Sequence, residues 1–555
     1  MKNLFFTIII LILFIGCDRL SSKVEWPELT QQSKPWTRWW WMGNAVNKED
    51  LKYALKEYQK AGLGGVEITP IYGVKGYEDK FLDYLSPEWV DMLIYTLNEA
   101  SKQDLGVDMA TGTGWPFGGP WVTEDDACKY VAYKTYTLKK GEILDEKVNY
   151  LQNPLVRAVG RKVNITELVE PIASNKNLQE LALDQVRFEK YLPLVALMAY
   201  SDNGNVLDLT EKVDSLGKLN WIAIDGNWKL YAVFQGWHGK MVERAAPGGE
   251  TNVIDHFSKK SLNNYLNKFE AAFENINIQS LRAFFNDSYE VDDAYGQANW
   301  TSSFFNEFQI RRGYDLRYHL AALFAQDSIE KNIRVLCDYR ETISELLLEE
   351  FTIPWNKWAK SKKAITRNQS HGSPANILDL YAASDIPETE GNDILRFKFA
   401  SSSANVTGKQ LTSSESATWL HEHFQTSLCN VKNAIDQYFL GGINHIIYHG
   451  TTFSPADEMW PGWIFYASVH FGPTNTFWND FAALNKYVSR CQSFLQEGKP
   501  DNEILLYFPF YDRISAPGKE LLEHFSGKIN QLENSEFAYT AKLLIEKGYS
   551  LDYIS

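Results

Sequence analysis

The chain has 555 residues, of which 45% are hydrophobic and 23% charged, a composition that excludes an intrinsically disordered protein and allows a large buried core. The formal net charge of −15 argues against a nucleic-acid partner, because contacts to phosphates need a basic surface. Aromatic residues make up 14% of the chain, and since aromatic rings stack on the apolar faces of sugars, this excess gives a weak indication of carbohydrate binding.

The N-terminus has the pattern of a bacterial export signal. Lys2 precedes an apolar run, Leu4–Ile15, which is too short to span a bilayer as a mature helix. Gly16 and Cys17 follow, and a small residue before a cysteine resembles a lipobox, in which the cysteine is lipidated after cleavage. We therefore predict a signal peptide over residues 1–17 and a cell-envelope lipoprotein, periplasmic or surface-exposed, whose contact with the membrane is the lipid anchor. A plain secretory signal is the alternative.

Downstream of the signal, apolar strand-like runs alternate with amphipathic helices, which predicts βα units and a parallel sheet. Eight runs are predicted to be strands of this sheet: Trp36–Trp41, Gly65–Ile68, Gly106–Ala110, Leu230–Phe234, Leu281–Phe285, Ala364–Arg367, Lys409–Ser413 and Ile443–Tyr448. Eight βα units indicate an α/β protein with a (β/α)8 barrel of the TIM type.

The pattern changes after the third predicted strand. Short strands separated by turn signals such as Asp202-Asn203-Gly204 predict a β-rich insertion over about residues 123–227. We place this insertion within a catalytic domain over residues 27–498. The apolar run Ile504–Tyr507 then opens a region, residues 499–555, that has the pattern of a second α/β domain broken off within a βαβ unit.

Active sites of such barrels lie at the C-terminal ends of the strands, so the carboxylates near those ends are candidates. Asp287 and Glu290 follow the fifth predicted strand, and Glu415 follows the seventh. Glycoside hydrolysis needs two carboxyl groups, one to protonate the leaving oxygen and one to act on water or as a nucleophile. Glu290 and Glu415 are a candidate pair across the barrel mouth, although strand-end acids can equally serve as hydrogen-bonding struts. Further acids of this kind are Glu67, Asp108, Asp385, Glu388 and Glu390.

Three other motifs give weaker indications of function or none. The glycine-rich stretch Thr111–Gly119 lacks the GxGxxG spacing of a nucleotide loop. The HEHF stretch, His421–Phe424, is not HExxH, so a zinc site is not indicated there. No GxSxG motif occurs, which removes support for a serine hydrolase.

Several long motifs in order resemble glycoside hydrolase family 106, the α-L-rhamnosidases, over roughly Trp36 to Gly498. They are KPWTRWWWMGNAV, GLGGVEITPIYG, LSPEWVDML, VDMATGTGWPFGGPWV, FFNDSYEV, RNQSHGSPANILDLYAASDIPETE and GINHIIYHG. The resemblance implies a (β/α)8 catalytic barrel, inversion at the anomeric carbon, and a calcium ion near the bound rhamnose.

The resemblance also assigns roles to particular carboxylates. The general acid matches Glu290 in NDSYE, with Asp287 beside it in the substrate site, and the general base matches Glu415 in SSESAT. Glu422, slightly further along, is the rival for the base. Glu390, which closes IPETE, matches a further functional carboxylate, interpreted as a substrate or calcium ligand together with the nearby oxygens of Asp385 and Glu388. Our candidates for further sugar contacts, each of which could equally be a core residue, are Trp115, Trp237, His238 and His371.

Together these observations predict an inverting α-L-rhamnosidase that removes terminal rhamnose from plant or microbial oligo- or polysaccharides. Burial and neighbouring negative charge are expected to keep Glu290 protonated, while Glu415 is ionised and activates water. Inversion requires the two carboxyl groups to lie about 6.5–9.5 Å apart. The alternatives are a retaining glycosidase acting on another sugar and a non-catalytic surface lipoprotein that captures glycans.

Overall fold

The computed structural model describes residues 25–172, 182–518, 520–526, 532 and 534–555. The predicted signal peptide and Cys17 lie outside these ranges. Within them, no helix combines the length and the apolar composition needed to cross a membrane.

The strands and helices follow one another along these ranges. The strands are β1 (Trp36–Met42), β2 (Gly65–Ile71), β3 (Gly106–Ala110), β4 (Lys129–Leu138), β5 (Leu151–Gln152), β6 (Leu155–Val159), β7 (Ala182–Arg187), β8 (Lys190–Tyr191), β9 (Leu194–Ser201), β10 (Val206–Asp208), β11 (Trp228–Trp237), β12 (Leu281–Asn286), β13 (Ile365–Gln369), β14 (Ile386–Thr389), β15 (Ser413–Ser416), β16 (His445–Thr452), β17 (Ile504–Tyr507) and β18 (Leu551–Ile554). The α-helices are α1 (Lys48–Lys60), α2 (Pro87–Lys102), α3 (Lys259–Ala272), α4 (Phe304–Arg312), α5 (Leu320–Leu323), α6 (Ile329–Leu346), α7 (Ile353–Ser361), α8 (Ile377–Ala383), α9 (Ile394–Val406), α10 (Leu428–Leu440), α11 (Trp478–Glu497), α12 (Phe510–Ile514) and α13 (Glu536–Glu546), and a π-helical turn, Leu347–Thr352, joins α6 to α7.

Eight parallel strands close into a barrel in the order β1, β2, β3, β12, β13, β14, β15 and β16, with β16 paired back to β1. The predicted (β/α)8 barrel is therefore confirmed. Strand β1 shows how its sequence suits this position, because its side chains alternate between two buried faces. Trp39 packs edge-on against Tyr58 of α1, while Arg38 turns its guanidinium toward Glu67 of β2.

One predicted barrel strand is wrong and another was missed. Leu230–Phe234 is part of β11, which pairs antiparallel with β4 and β9 in a separate sheet. The sixth barrel strand is instead β14, Ile386–Thr389, which is not among the eight predicted strands. It has only four residues and contains Pro387, so it lacks a recognisable strand signature. As a result, Asp287 and Glu290 follow the fourth strand of the barrel, not the fifth.

The insertion is a four-stranded antiparallel sheet in the order β10-β9-β11-β4, accompanied by the two-stranded pairs β5–β8 and β6–β7. Because β11 belongs to this sheet and runs to Trp237, the predicted end of the insertion near residue 227 is too early. The apolar run in β11 resembles a barrel strand because its side chains are buried almost throughout.

The C-terminal residues pack against the barrel helices. The parallel pair β17–β18 and helix α13 share an apolar cluster with α8 and α9, in which Phe399 contacts Phe508 and Tyr553 at ring-centroid distances of 5.0 Å. A nearby segment, Leu522–Phe525, reaches two loops at the barrel mouth. Its hydrogen bonds join Leu522 N to Gln297 Oε1 (3.0 Å), His524 Nε2 to Asp292 Oδ2 (2.7 Å), and Phe525 N to Ser373 O (2.9 Å).

Candidate active site

The centre of the barrel mouth is organised around Arg38 of β1, whose side chain is 2% exposed. Its Nε donates to Glu67 at 2.9 Å, and its Nη1 donates to Asp287 at 3.2 Å and to Glu415 at 3.0 Å. One buried cation therefore links carboxylates from β2, β15 and the loop after β12. The predicted acids Asp287 and Glu415 are thus brought together.

A second buried arginine lies deeper in the barrel. Arg367 of β13 contacts Asp108 at 3.3 Å and makes close ion pairs with Glu67 and Glu388. The ring of Phe285 lies 4.6 Å from the Arg38 guanidinium and 4.3 Å from that of Arg367. Sequence reasoning did not identify either arginine, although charged residues within otherwise buried strands are a usable signal of such a network.

Glu415 is held in its ionised form. Its Oε2 accepts hydrogen bonds from Arg38 and from Gln369 Nε2 (2.9 Å), and its Oε1 accepts one from Thr418 Oγ1 (2.6 Å). His449 Nε2 lies 3.6 Å from Oε1. Burial opposes ionisation, but the positive charge of Arg38 outweighs it together with these hydrogen bonds and lowers the pKa of Glu415 below its usual value.

Glu290 has the opposite tendency. Burial is the main cause that raises its pKa, and the negative charge of Asp293 adds to it. Trp115 Nε1 donates to Oε2 at 2.6 Å and Ser288 Oγ donates to Oε1 at 2.9 Å, which fixes the carboxyl group and partly opposes the shift. The site therefore contains one acid that favours its proton and one that does not.

The pKa of Asp287 is influenced by both of these acids. Burial raises its pKa most, Arg38 opposes the rise, and the charges of Glu415 and Glu290 add to it. These opposing causes leave the pKa of Asp287 raised to about 8.

Glu390 lies just beyond the end of β14, where Arg396 Nη2 donates to its Oε1 at 2.8 Å and His371 Nε2 lies 3.3 Å away. Burial opposes its ionisation, but these two groups hold its pKa well below the usual range. Burial, with Arg396, also lowers the pKa of His371. Glu390 and His371 are therefore brought to the site together, as predicted candidates for substrate contacts.

The three acids predicted as calcium ligands do not form one donor set. Asp385 precedes β14 and accepts hydrogen bonds from Thr366 N (2.9 Å) and Asn356 Nδ2 (2.7 Å). Glu388 points into the barrel, toward Arg367, and Glu390 is engaged by Arg396. Because a protein cation already faces Glu388 and another faces Glu390, these residues do not fit the calcium ion that the resemblance implies.

A different group of carboxylates comes together beside Glu290. Within the described ranges, ligand atoms of Glu243, Glu290 and Asp293 lie within 4.8 Å of one another. Lys240 offsets part of the charge of this group, since its Nζ donates to Asp293 at 2.8 Å and contacts Glu243 closely, and it also donates to Asp184 at 2.9 Å. Burial nevertheless raises the pKa of Glu243 to about 9. This network surrounds the candidate acid, and sequence reasoning missed it.

Two predicted sugar contacts lie elsewhere. Trp237 donates its indole N–H to Glu124 O at 3.0 Å within the insertion. His238 is fully buried, its Nε2 lies 3.1 Å from Gly296 O, and burial lowers its pKa to about 4. Both follow the run that was wrongly taken as a barrel strand, which is why they were chosen as candidates. Glu422, the rival base, is exposed in the loop after β15, away from the Arg38 contacts of Glu415.

Buried aromatic side chains pack beside Glu415 and were also missed. Trp40 and Phe465 stack at a ring-centroid distance of 4.0 Å, and His449 packs edge-on against them at 5.1 and 5.7 Å. This packing holds His449 against Glu415.

Comparisons with known proteins agree with this architecture. A sequence model of glycoside hydrolase family 106, described as alpha-L-rhamnosidase, matches residues 28–193 and 183–517. The fold is similar to that of a rhamnosidase from Novosphingobium sp. PP1Y, with a TM-score of 0.70 and 19% identity over 95% of this chain and 64% of that one. It is also similar to a β-galactosidase from Marinomonas ef1, with a TM-score of 0.50 and 9% identity over 94% of this chain and 69% of that one. At these identities the solved structures bear on the fold alone.

Among curated proteins, a protein of Formosa agariphila named "Putative beta-glucuronidase" is 26% identical over 509 residues. The match covers 86% of this chain and 42% of that protein. The chain thus spans less than half the length of this relative, and 64% of the length of the Novosphingobium rhamnosidase.

Proposed function

Because the chain belongs to the α-L-rhamnosidase family, glycoside hydrolase family 106, we propose that it removes terminal α-L-rhamnose from oligo- or polysaccharides with inversion at the anomeric carbon. The observation that carries the proposal is the pair Glu290 and Glu415, which lie at the same barrel mouth and have pKa values shifted in opposite directions. Acid–base catalysis at one site requires two groups whose pKa values are shifted apart in this way.

Glu290 is the general acid in this proposal. Its raised pKa keeps a proton on the carboxyl group, and hydrogen bonds from Trp115 and Ser288 hold that group in place. As the glycosidic bond breaks, the proton passes from Glu290 to the leaving oxygen, so that the leaving group departs as a neutral alcohol.

Glu415 is the general base. Arg38 and Gln369 occupy its Oε2, which leaves Oε1, beside Thr418 and His449, to accept a proton from water. The oxygen of that water forms the new bond to the anomeric carbon, from the face opposite the leaving group. Glu415 then carries the proton and releases it to solvent.

Asp287, Glu390 and His371 hold the sugar. Asp287 is anchored by Arg38, and Glu390 by Arg396, so each carboxylate has a fixed position from which to accept a hydrogen bond from a ring hydroxyl. No step of this mechanism involves calcium, because the predicted ligands do not converge. Calcium binding and the lipid anchor stay predictions.

The test is hydrolysis of p-nitrophenyl α-L-rhamnoside by the full chain, followed by proton NMR from the first minutes. Inversion yields β-L-rhamnose first, whereas a retaining enzyme yields the α-anomer first. Release of p-nitrophenol from the β-D-glucuronide alone would move the chain to the activity named for the Formosa relative. Binding of rhamnosides with no turnover would support the glycan-capturing alternative.

A further inference from the structure

We propose that the leaving-group side of this site is a subsite for an acidic sugar, whose carboxylate is bound by Arg244 and whose ring stacks on Tyr466 and Trp419. The inference rests on the proposed rhamnosidase function and defines the class of substrate: rhamnose linked to a uronic acid. The pair Glu290 and Glu415 does not itself require a uronic acid in the leaving group. Three separate observations support one.

The first observation is position. Glu243 N donates to Trp115 O at 2.7 Å and Trp115 N donates to Glu243 O at 3.2 Å, while the Trp115 indole donates to Glu290. Arg244, the next residue, is tied to the end of β2 because its carbonyl accepts from Tyr72 N at 3.0 Å. Arg244 therefore lies beside the general acid, where the glycosidic oxygen and the leaving group must be.

The second observation is that Arg244 has capacity to bind an anion. Its guanidinium lies over the ring of Tyr466, 4.4 Å from the centroid, and its Nε is buried with no hydrogen-bond partner in the described part of the chain. The N–H groups of a guanidinium form a planar fork that suits a carboxylate, and the contact with Tyr466 holds this fork in place. A buried donor without a partner is costly unless a ligand satisfies it.

The nearby acids do not cancel this positive charge. Lys240 contacts Glu243, Asp293 and Asp184, and Asp184 also pairs with Arg157. Burial raises the pKa of Glu243 to about 9, and Glu290 is protonated in the active form. Burial raises the pKa of the Tyr466 hydroxyl, Arg244 opposes the rise, and the charges of Glu290 and Glu243 add to it, which places this ring within electrostatic reach of the acid. These acids are thus either paired with Lys240 and Arg157 or protonated, which leaves the charge of Arg244 for an anionic sugar.

The third observation is an exposed aromatic surface that continues from the site. Tyr466, in the loop after β16, is 38% exposed, and Trp419, in the loop after β15, is 48% exposed. Their ring centroids are 5.9 Å apart, and Trp419 N donates to Ser468 O at 2.8 Å, which fixes one loop against the other. Exposed rings at the rim of a carbohydrate site offer a stacking surface for a sugar ring.

The experiment compares matched disaccharides on the full chain. α-L-Rhamnose is linked 1→2, 1→3 or 1→4 to D-glucuronic acid or to D-glucose, so each pair differs only at C6, and α-L-rhamnosyl fluoride serves as a substrate without a sugar leaving group. We expect kcat/KM for at least one glucuronic acid disaccharide to exceed that of its glucose partner by about ten- to a hundred-fold, the size expected for a charge-assisted hydrogen bond.

Variants then assign the preference to its residues. Arg244→Gln should bring the ratio of the two kcat/KM values close to one, and Arg244→Lys should restore part of it. Trp419→Ala should lower kcat/KM on both disaccharides by a similar factor, since stacking does not depend on the carboxylate. Arg490→Gln, which removes an exposed positive charge on α11, is the matched control and should keep the wild-type ratio.

The outcomes separate the two proposals. If the wild type hydrolyses the fluoride, the rhamnosidase proposal stands. The subsite is then overturned if no disaccharide pair is cleaved, if no pair shows a preference, or if the preference survives in folded Arg244→Gln. Failure of the wild type on the fluoride and on every disaccharide rejects the rhamnosidase proposal, and the subsite with it. Circular dichroism of each variant confirms that it is folded.

Discussion

Arg38 Nη1 donates to Glu415 at 3.0 Å and to Asp287 at 3.2 Å, so a single nitrogen bridges the proposed general base and a second carboxylate of the site. This relationship explains how an almost wholly buried glutamate can remain ionised, because the cation compensates for the water it has lost. It also makes the state of the base depend on a residue far away in the sequence.

Arg38→Gln should therefore destabilise the fold and change the base. Removal of one partner leaves Glu67 and Glu415 buried with less compensation, at a cost of about 3–5 kcal/mol in the free energy of unfolding. The lost positive charge should raise the pKa of Glu415, which moves the acidic limb of the kcat/KM profile to higher pH. Urea unfolding and a pH profile measure these effects.

A control for Arg38→Gln is Arg334→Gln, which breaks an ion pair with Glu330 whose two side chains are 75% and 76% exposed. It should change the free energy of unfolding by less than about 0.5 kcal/mol. If Arg38→Gln were equally mild, the network would not hold the site as described.

Glu415→Gln should abolish most turnover without unfolding the protein. Loss of a general base lowers kcat by roughly 10²–10⁴-fold, with KM little changed. Azide, which attacks without giving up a proton, should restore part of the rate and form a rhamnosyl azide of inverted configuration. Glu422→Gln is the control, and a larger loss of kcat in that variant than in Glu415→Gln would transfer the base to Glu422.

Glu290→Gln should have an effect that depends on the leaving group. A sugar leaving group needs the proton, so kcat should fall by about 10²–10⁴-fold. Fluoride is a better leaving group and should be affected much less. Equal losses on a disaccharide and on rhamnosyl fluoride would show that Glu290 does not act as the acid.

The pH dependence of kcat/KM should be bell-shaped. Its acidic limb follows Glu415, whose pKa is lowered, and its alkaline limb follows Glu290, whose pKa is raised. Trp115 donates to the ionised form of Glu290 and so lowers its pKa; Trp115→Phe should therefore raise it and move the alkaline limb upward by about 0.5–1 pH unit. Trp121→Phe, whose indole donates to Tyr265 O, should leave that limb in place, and a downward movement in Trp115→Phe would contradict the assignment.

The barrel could be predicted because most of its strands are buried apolar runs between amphipathic helices. The sequence pattern failed where burial and strand pairing are decided by distant residues. Leu230–Phe234 is apolar in either setting, and only its antiparallel partners place it in the insertion. Ile386–Thr389 is too short and too polar to be recognised, and barrel closure alone makes it a strand.

The site was predicted in the same uneven way. The positions of Glu290 and Glu415 came from their place after strands together with the family resemblance. Arg38, Arg367 and Lys240 were missed because a charge within a buried run can indicate a buried cation but does not show which distant acids surround it. Trp237 and His238 were chosen relative to a strand that is not in the barrel, and no contact with the acids of the site is found for either in the described residues.

The contacts of Leu522–Phe525 connect the C-terminal residues to two loops of the barrel mouth. Its hydrogen bonds reach Asp292 and Gln297, in the loop that carries Glu290, and Ser373, in the loop that carries His371. Both loops therefore share a cooperative unit with the C-terminal residues, and local opening of that unit frees the acid before the barrel itself unfolds. Amide hydrogen exchange should then show the backbone near Glu290 exchanging in step with residues 520–526, so that heat inactivation precedes global melting.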